Sequence, residues 1–197
     1  NETLLCSLIR QDSIEDFISY INRNSISMSF KIKPTIFETN QFLLKHEPTL
    51  IEYAAFYGSI QVFKYLLLNK SSLDNSLWIY AIHGKNPEII HLLEENQIYP
   101  KDESYQECLE ESIKCHHNDF ALYFKDNFIN NHYSNYFNNE IYYGFKYHNF
   151  QFIPIECKEK FCFYYAIEFG YYKLVKYYKN IEGLNIYGTP YSPFFYH

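Results

Sequence analysis

Cysteine and histidine are concentrated in one short stretch, Cys115-His116-His117, and Cys108 lies seven residues before it. A helix would place the thiols of Cys108 and Cys115 on one face. Thiolate and imidazole are common zinc ligands, but zinc sites normally combine closely spaced ligand pairs. A second pair is missing from the chain, which contains no C-x-x-C and no H-x-x-x-H sequence. A turn with a structural role is the simpler interpretation, and a zinc site using Cys115, His116 and His117 is the alternative.

The other residue types that catalyse reactions form no recognisable motif. Pairing one of five cysteines with one of eight histidines is possible in any chain of this composition and carries no information about a nucleophile. No G-x-S-x-G or H-E-x-x-H sequence occurs, and six glycines leave few backbone segments able to cradle a phosphate. Glu94-Glu95 and Glu110-Glu111 are adjacent carboxylates, which is typical of a solvated helix face. We expect no enzymatic activity, no cofactor and no small-molecule substrate.

Charge and cysteine content favour an intracellular protein. Lys plus Arg total 17 against 23 Asp plus Glu, and no basic tract is present to bind nucleic acid or an anionic membrane. No window approaches the roughly 18 uninterrupted apolar residues that a membrane span needs. Five cysteines are an odd number in a chain large enough to fold without disulfides, so we expect reduced thiols, including Cys157 and Cys162. The expected location is cytoplasmic or otherwise intracellular.

Six segments of the chain align with one another without gaps. Five of the six begin with a small residue, and in five of the six apolar residues occupy both the ninth and tenth positions. Their starting points are 46, 27, 31, 32 and 22 residues apart, close to a supersecondary unit of about 30 residues. The segments are LIRQDSIEDFISYI from Leu8, AAFYGSIQVFKYLL from Ala54, AIHGKNPEIIHLLE from Ala81, SIKCHHNDFALYFK from Ser112, GFKYHNFQFIPIEC from Gly144 and AIEFGYYKLVKYYK from Ala166.

Each segment predicts the end of one helix, a turn and a second helix. In the second segment Ala54 continues an apolar helical face, Gly58 supplies the turn, and apolar spacing resumes after it. In the third, Asn86 suits the N-cap and Pro87 the first helical position. Pro154 interrupts the second helix of the fifth segment. Two helices of about ten residues cannot bury their apolar faces alone, so the pairs must stack and share one core.

This register resembles the ankyrin-repeat family, in particular the divergent Asn-, Tyr- and Phe-rich arrays of protists and large DNA viruses. The resemblance covers most of residues 4–186 and is carried by AAFYGSIQVFKYLLLN, NPEIIHLLEEN and AIEFGYYKLVKYY. It implies an all-α, right-handed solenoid of stacked antiparallel helix pairs with little or no β-hairpin. The family's Thr-Pro-Leu-His signature is absent from the interior units, and only YGTPYS near the end keeps part of it. Another α-solenoid is the alternative fold.

The expected organisation is a single repeat domain over residues 1–197. Residues 25–48 are an extra or capping segment, in which 35–46 could form one further helix, and 187–197 begin another unit or form a tail. The units are expected at residues 3–24, 49–70, 76–97, 106–128, 138–157 and 161–180.

The two positions before each turn are the candidates for function. In ankyrin-like stacks these positions line the concave surface, and aromatic and charged side chains there suit protein binding. The resemblance therefore implies a module that binds an unidentified protein partner. Two alternatives are a structural spacer without a specific ligand and, more remotely, an enzyme or zinc protein using the Cys115 cluster. A competing interpretation of the two phenylalanines is that they pack between units. The candidate binding residues are Phe56, Tyr57, His83, Lys114, Lys146, Tyr147, Glu168 and Phe169.

Overall fold

The chain is all-helical over the residues that the structure describes, which are 2–34, 38–69, 71–129, 139–156 and 160–181 of a computed structural model. This part has no β-strand, and one isolated antiparallel bridge joins Lys31 and Thr49. The chain divides into unit 1, residues 1–129, and unit 2, residues 130–197. The α-helices of unit 1 are α1 (Glu2–Arg10), α2 (Ile14–Arg23), α3 (Gln41–Lys45), α4 (Leu50–Tyr57), α5 (Ile60–Leu68), α6 (Leu77–Gly84), α7 (Pro87–Glu95), α8 (Gln106–Lys114) and α9 (Asn118–Asn127). Those of unit 2 are α10 (Asn139–Lys146), α11 (Lys160–Glu168) and α12 (Tyr172–Lys179).

Every turn between paired helices has the same backbone conformation. The fifth position of each aligned segment has a positive φ, whether or not it is glycine. In five of the six turns the N–H of the next residue donates to the carbonyl of the first position, as in Ser59 to Ala54 at 2.9 Å. This bond closes a Schellman-type turn and satisfies a carbonyl that the helix end leaves unpaired. The positive-φ residues are Asp12, Gly58, Lys85, His116, His148 and Gly170.

Side chains at the helix starts reinforce these boundaries. The hydroxyl of Thr49 accepts from the N–H of Glu52, and the Glu52 carboxylate accepts from the N–H of Thr49, so the two residues form a capping box. Ser76, immediately before α6, also donates to Glu52, at 2.6 Å. One carboxylate therefore caps α4 and links it to the next pair. The predicted N-cap Asn86 accepts from the N–H of Glu88, with Pro87 at the first helical position.

Unit 1 consists of four helix pairs whose helices pack in order along the chain. The first helices α1, α4, α6 and α8 contact one another in succession, and the second helices α2, α5 and α7 form a parallel row. Ala54 and Ala81 are fully buried between neighbouring first helices. Their small side chains allow the close approach that the stack requires. The single tryptophan, Trp78, is also fully buried and donates its indole N–H to the carbonyl of Ile98 at 2.9 Å.

Helix α6 approaches the backbone of α4 at Gly84. A Cβ atom on this residue would lie 2.0 Å from the carbonyl oxygen of Ala55 and 2.8 Å from the amide nitrogen of Gly58. No side chain fits at those distances, so glycine is required by backbone contact between two pairs. The turn residue Gly58 has a φ of 68°, and a Cβ atom on it would lie 2.7 Å from the carbonyl oxygen of Gly84.

The segment between the first and second pairs of unit 1 contains one short helix. Helix α3 covers only the end of the stretch expected to be helical, and residues 35–37 lie outside the described part. Its N-cap Asn40 accepts from the N–H groups of Phe42 and Leu43. Leu43 is buried in the core of unit 1, so this segment packs against the helix pairs.

Unit 2 contains one interrupted and one complete helix pair. A 3-10 helix, Phe150–Phe152, follows α10 and ends before Pro154, as the proline predicts. Helices α11 and α12 pair with each other, and α11 packs on α10. Phe145, Cys162, Ala166 and Tyr178 are buried in the core of this unit.

Among the four cysteines that the structure describes, one differs from the sequence-based expectation. Cys6, Cys108 and Cys115 are reduced thiols, but Cys162 is disulfide-bonded. The expectation of reduced thiols throughout is wrong for Cys162, because the number of cysteines does not reveal which of them lie close together. Cys157 and residues 187–197 lie outside the described part. Within that part, none of the helices has the length and apolar content to cross a membrane.

Candidate functional site

The candidate binding residues of unit 1 form a connected row across three first helices. Phe56 lies near the end of α4, His83 near the end of α6 and Lys114 at the end of α8. The rings of Phe56 and His83 are stacked with centroids 4.9 Å apart. On its other side, His83 places Nε2 2.9 Å from Oε1 of Glu111, and Lys114 pairs with Oε2 of Glu111 at 2.8 Å. Stacking of the helix pairs thus joins residues that are far apart in the sequence.

Phe42 of α3 covers part of this row. Its ring lies 5.8 Å from that of Phe56 and 4.5 Å from that of His83, and it meets Tyr80 edge-on at 5.0 Å. As a result Phe56 is only 8% exposed. In this conformation Phe56 acts as a packing residue between helices, and a partner would reach it only after Phe42 moved away. The sequence indicated a helix near Phe42 but carried no signal for where that helix packs.

Tyr57 lies at the other edge of the row, where α1 contributes a cation. The guanidinium carbon of Arg10 is 5.0 Å from the centre of the Tyr57 ring, and Arg10 Nε donates to the hydroxyl of Tyr53 at 2.7 Å. Tyr53 and Tyr57 pack with ring centroids 4.8 Å apart. Burial raises the pKa of the Tyr57 hydroxyl, so it stays a neutral hydrogen-bonding group at physiological pH. Tyr57 is half-buried.

In unit 2 the candidate residues lie at the ends of α10 and α11. Lys146 Nζ is 4.9 Å from the centre of the Tyr147 ring, 5.8 Å from that of Tyr142 and 5.9 Å from that of Tyr143. These distances are within the range of cation–π attraction. Lys146 therefore lies among the rings of two tyrosines of its own helix and of Tyr147, the residue that follows it.

Tyr142 connects this lysine to the candidate residues at the end of α11. Its ring lies 5.5 Å from that of Phe169 and 5.3 Å from that of Tyr165. Burial, together with the charge of Glu168, raises the pKa of Tyr165 to about 12. The five half-buried rings are called the tyrosine face below. Its members are Tyr142, Tyr143, Tyr147, Tyr165 and Phe169.

The sequence analysis missed three residues of the tyrosine face. Tyr143 precedes Tyr147 by four residues, Tyr165 precedes Phe169 by four, and Tyr142 precedes Lys146 by four. Residues four apart share one face of a helix. Extending the candidate positions back by one helical turn would have found all three.

Cys115, His116 and His117 do not converge on one point. His117 donates from Nδ1 to the carbonyl oxygen of Ile82 at 2.7 Å, so this nitrogen makes a structural hydrogen bond between helix pairs. His116 is the exposed positive-φ residue of the turn. Cys108 is fully buried in the core. Of the proposed zinc ligands, only Cys115 faces other ligand-type side chains.

Cys115 lies instead beside His83 and Glu111. Its Sγ is 3.6 Å from Nδ1 of His83 and 3.8 Å from Oε1 of Glu111. One ligand atom from each residue lies within 4.8 Å of the others, and this is the one such group found among the described residues. Glu111 is buried, so the expectation that Glu110-Glu111 forms a solvated helix face is wrong for this residue. The sequence could not reveal the group, because its members belong to different helix pairs.

Electrostatics in the group favour a charged carboxylate and a neutral thiol. Burial by itself raises the pKa of Glu111, but His83 and Lys114 outweigh this effect and the pKa lies below its ordinary value. Burial, followed by the charge of Glu111, raises the pKa of Cys115 to about 12. Cys115 is therefore a poor nucleophile at neutral pH, since the thiolate is the reactive form.

A separate cleft lies between α1 and the segment that precedes α4. It encloses about 230 Å³, less than the roughly 300 Å³ at the lower end of typical small-molecule sites. Arg10, which lines it, is engaged by Tyr53 and lies 3.8 Å from Glu38. Its walls include Lys33, Leu43 and Pro48.

No protein-family model, curated protein or solved structure matches this chain. Its function is therefore argued from its own residues. Three local arrangements are relevant: the row from Phe56 to Lys114, the tyrosine face, and the group of His83, Glu111 and Cys115.

Proposed function

We propose that this chain is a non-catalytic protein-recognition module built from ankyrin-like helix pairs. The partner binds across the C-terminal ends of the first helices. The observation that carries the proposal is the tyrosine face, where three tyrosine rings lie around Lys146 and Tyr142 connects them to Tyr165 and Phe169. Tyrosine combines a large contact area, a small entropic cost and a polar hydroxyl, and it is enriched among residues that dominate binding energy.

The ankyrin-like architecture is part of the proposal and is supported by the repeated geometry of the turns. Gly58 and Gly170, in different units, occupy the same register position with positive φ. Stacked pairs expose the same helix ends repeatedly, which suits an extended protein ligand. In unit 1 the corresponding surface is formed by Tyr57 and Lys114 at the edges of the row that Phe42 covers.

Affinity capture with matched surface variants tests this proposal. The full chain is immobilised and incubated with increasing amounts of cell extract, and retained proteins are quantified by mass spectrometry. The double variant Tyr147→Ser/Phe169→Ser should lower the affinity for a saturable partner about tenfold or more, because truncating dominant interface aromatics costs about 2 kcal/mol or more. The control is Tyr172→Ser on α12, since Tyr172 is 76% exposed.

The structural-spacer alternative predicts a different result. A spacer without a ligand of its own would retain no saturable partner. Partners retained equally by the wild type and by the double variant would also contradict recognition by the tyrosine face. Circular dichroism of each variant establishes that the helices remain folded.

A further inference from the structure

We propose that His83, Glu111 and Cys115 form a binding site for a divalent transition-metal ion of the zinc class. The three residues supply an imidazole nitrogen, a carboxylate oxygen and a sulfur, which are the donor types that zinc binds. They come from α6, α8 and the residue that caps α8. The site depends on the contact between α6 and α8 and is independent of the protein-recognition proposal.

The distances from the Cys115 sulfur to the other two donor groups match those around a four-coordinate ion. Zinc bonds of about 2.0 Å to nitrogen or oxygen and about 2.3 Å to sulfur give a tetrahedral separation of about 3.5 Å between sulfur and either lighter atom. The Cys115 sulfur lies 3.6 Å from Nδ1 of His83 and 3.8 Å from Oε1 of Glu111. Small side-chain rotations are therefore sufficient to close the site. Three protein ligands leave one tetrahedral position for water or another ligand.

The imidazole of His83 is held in place and has a nitrogen without a well-directed partner. Phe42 and Phe56 both pack against the ring, at 4.5 Å and 4.9 Å. Nε2 is buried and makes no hydrogen bond, although Oε1 of Glu111 lies 2.9 Å away, because the oxygen is poorly aligned with the N–H direction. In this orientation Nδ1 faces the sulfur of Cys115 and Nε2 faces Oε1 of Glu111. One ring nitrogen already lies within 4.8 Å of both other donor atoms, so small side-chain rotations can direct it toward them.

Lys114 is the competitor for this site. Its ammonium group lies 2.8 and 3.0 Å from the two oxygens of Glu111 and neutralises the carboxylate that the ion would bind. The Lys114 side chain is 46% exposed, so it can move into solvent at little cost, as ion pairs in water contribute little stability. Removing the charge of Lys114 should therefore strengthen metal binding.

Binding releases one proton from the protein. The ion replaces the S–H proton of Cys115 and also binds the carboxylate of Glu111 and a ring nitrogen of His83 that carries no proton. The released proton passes to the buffer, and no oxidation or reduction occurs. Because binding displaces a proton from the thiol, the apparent affinity should increase with pH. The charged groups around the thiol are Glu111 and Lys114 from α8, with the titratable His83 from α6.

The test is titration of the full chain with Zn²⁺ alone and with Co²⁺ alone. We expect one ion per chain by calorimetry and elemental analysis, with release of one proton. Co²⁺ should show thiolate charge-transfer absorption and the visible bands of a four-coordinate site. Cys115→Ser should lose the charge-transfer absorption and weaken binding about tenfold or more, the range seen when metal sites are perturbed. Lys114→Met, which keeps the aliphatic stem, should strengthen binding several-fold.

His116→Asn is the matched control, since it changes the neighbouring histidine and keeps a residue type that tolerates positive φ. It should bind as the wild type does. The proposal is overturned if the wild type binds neither ion at pH 8, if Cys115→Ser binds as tightly as the wild type, or if His116→Asn loses binding to the same extent. If Cys115→Ser fails to fold, Lys114→Met decides the question. Stronger metal binding in Lys114→Met supports the site, and unchanged or weaker binding overturns it.

Discussion

His117 donates a 2.7 Å hydrogen bond from Nδ1 to the carbonyl oxygen of Ile82, which belongs to the preceding helix pair. Other residues at the same register position make equivalent contacts. Ser59 donates to the carbonyl of Ile9 at 2.6 Å, and Asn86 donates to that of Gly58 at 2.9 Å. The residue that begins each second helix therefore also ties its pair to the one before it.

Replacing His117 with alanine should destabilise unit 1 by about 1 kcal/mol, the net value of a typical hydrogen bond. His117→Asn should recover part of the loss, because asparagine performs this role at Asn86. Urea unfolding followed by the fluorescence of the buried Trp78 measures both variants. The control is His91→Ala, since the side chain of His91 is 70% exposed. Equal stability of His117→Ala and wild type would show that the bond contributes nothing.

The stability of unit 1 should decrease as pH falls below the ordinary histidine value of 6.5. Burial lowers the pKa of His117, so the folded protein binds its proton less readily than the unfolded chain. The contribution of neutral His117 to the free energy of unfolding is fully present above pH 6.5. It is lost as pH falls toward the pKa of His117 in the folded protein. Urea midpoints between pH 7.5 and 5.5 should fall less in His117→Asn than in wild type. Identical slopes would contradict this assignment.

Substitutions at two adjacent residues, Gly84 and Lys85, should change the free energy of unfolding in opposite directions. Gly84→Ala places a Cβ 2.0 Å from the carbonyl oxygen of Ala55 and should cost roughly 1–3 kcal/mol through overpacking. Lys85 has a φ of 52°, so Lys85→Gly should stabilise by up to about 1 kcal/mol by relieving the left-handed conformation. Thermal unfolding by circular dichroism measures both, and changes of the same sign would argue against this turn geometry.

Asp12 should stabilise α5 across the boundary between two pairs. Its carboxylate accepts from the N–H groups of Gln61 and Val62 at 3.0 and 2.9 Å, at the positive end of that helix. Asp12→Asn keeps one acceptor oxygen and the tolerance for positive φ, and should cost about 1 kcal/mol through the lost charge and one lost hydrogen bond. The difference from wild type should shrink in high salt. Asp126→Asn, an exposed change near the end of α9, is the control and should not reproduce the loss.

Cys115 should react slowly with iodoacetamide at pH 8, because its pKa is raised to about 12 and little thiolate is present. Glu111→Gln removes the neighbouring negative charge, which should lower the pKa and accelerate alkylation. Peptide mass spectrometry at several reaction times gives the rate at this residue. A slower reaction in Glu111→Gln would mean that the carboxylate activates the thiol.

Local sequence rules were sufficient to locate the turns but not to explain all of them. The gap-free alignment placed six turn positions in one column, yet glycine occupies that column only at Gly58 and Gly170. At Lys85 or His116 the side chain gives no sign of positive φ. Packing of the flanking helices, together with the turn-closing hydrogen bond where it forms, as from His117 to Ser112, offsets a cost of about 1–2 kcal/mol for a non-glycine residue.

The sequence also did not reveal the role of the asparagines at the ends of the second helices of unit 1. Each donates its side-chain amide to the backbone carbonyl four residues earlier, and the abundance of asparagine in the composition does not reveal this role. The position becomes recognisable only when the helix ends are superposed. The four residues are Asn24, Asn69, Asn96 and Asn127.

The sequence by itself determined the all-α class, the positions of the helix pairs, the cap at Asn86 and the interruption at Pro154, because these depend on neighbours within one or two turns. Only the tertiary structure decided that Phe42 covers Phe56 and that Glu111 joins His83 and Cys115. His83 and Glu111 are 28 residues apart and belong to neighbouring pairs. Helical periodicity shows which face is buried but not which side chain of the next pair it meets, since that depends on how the pairs stack.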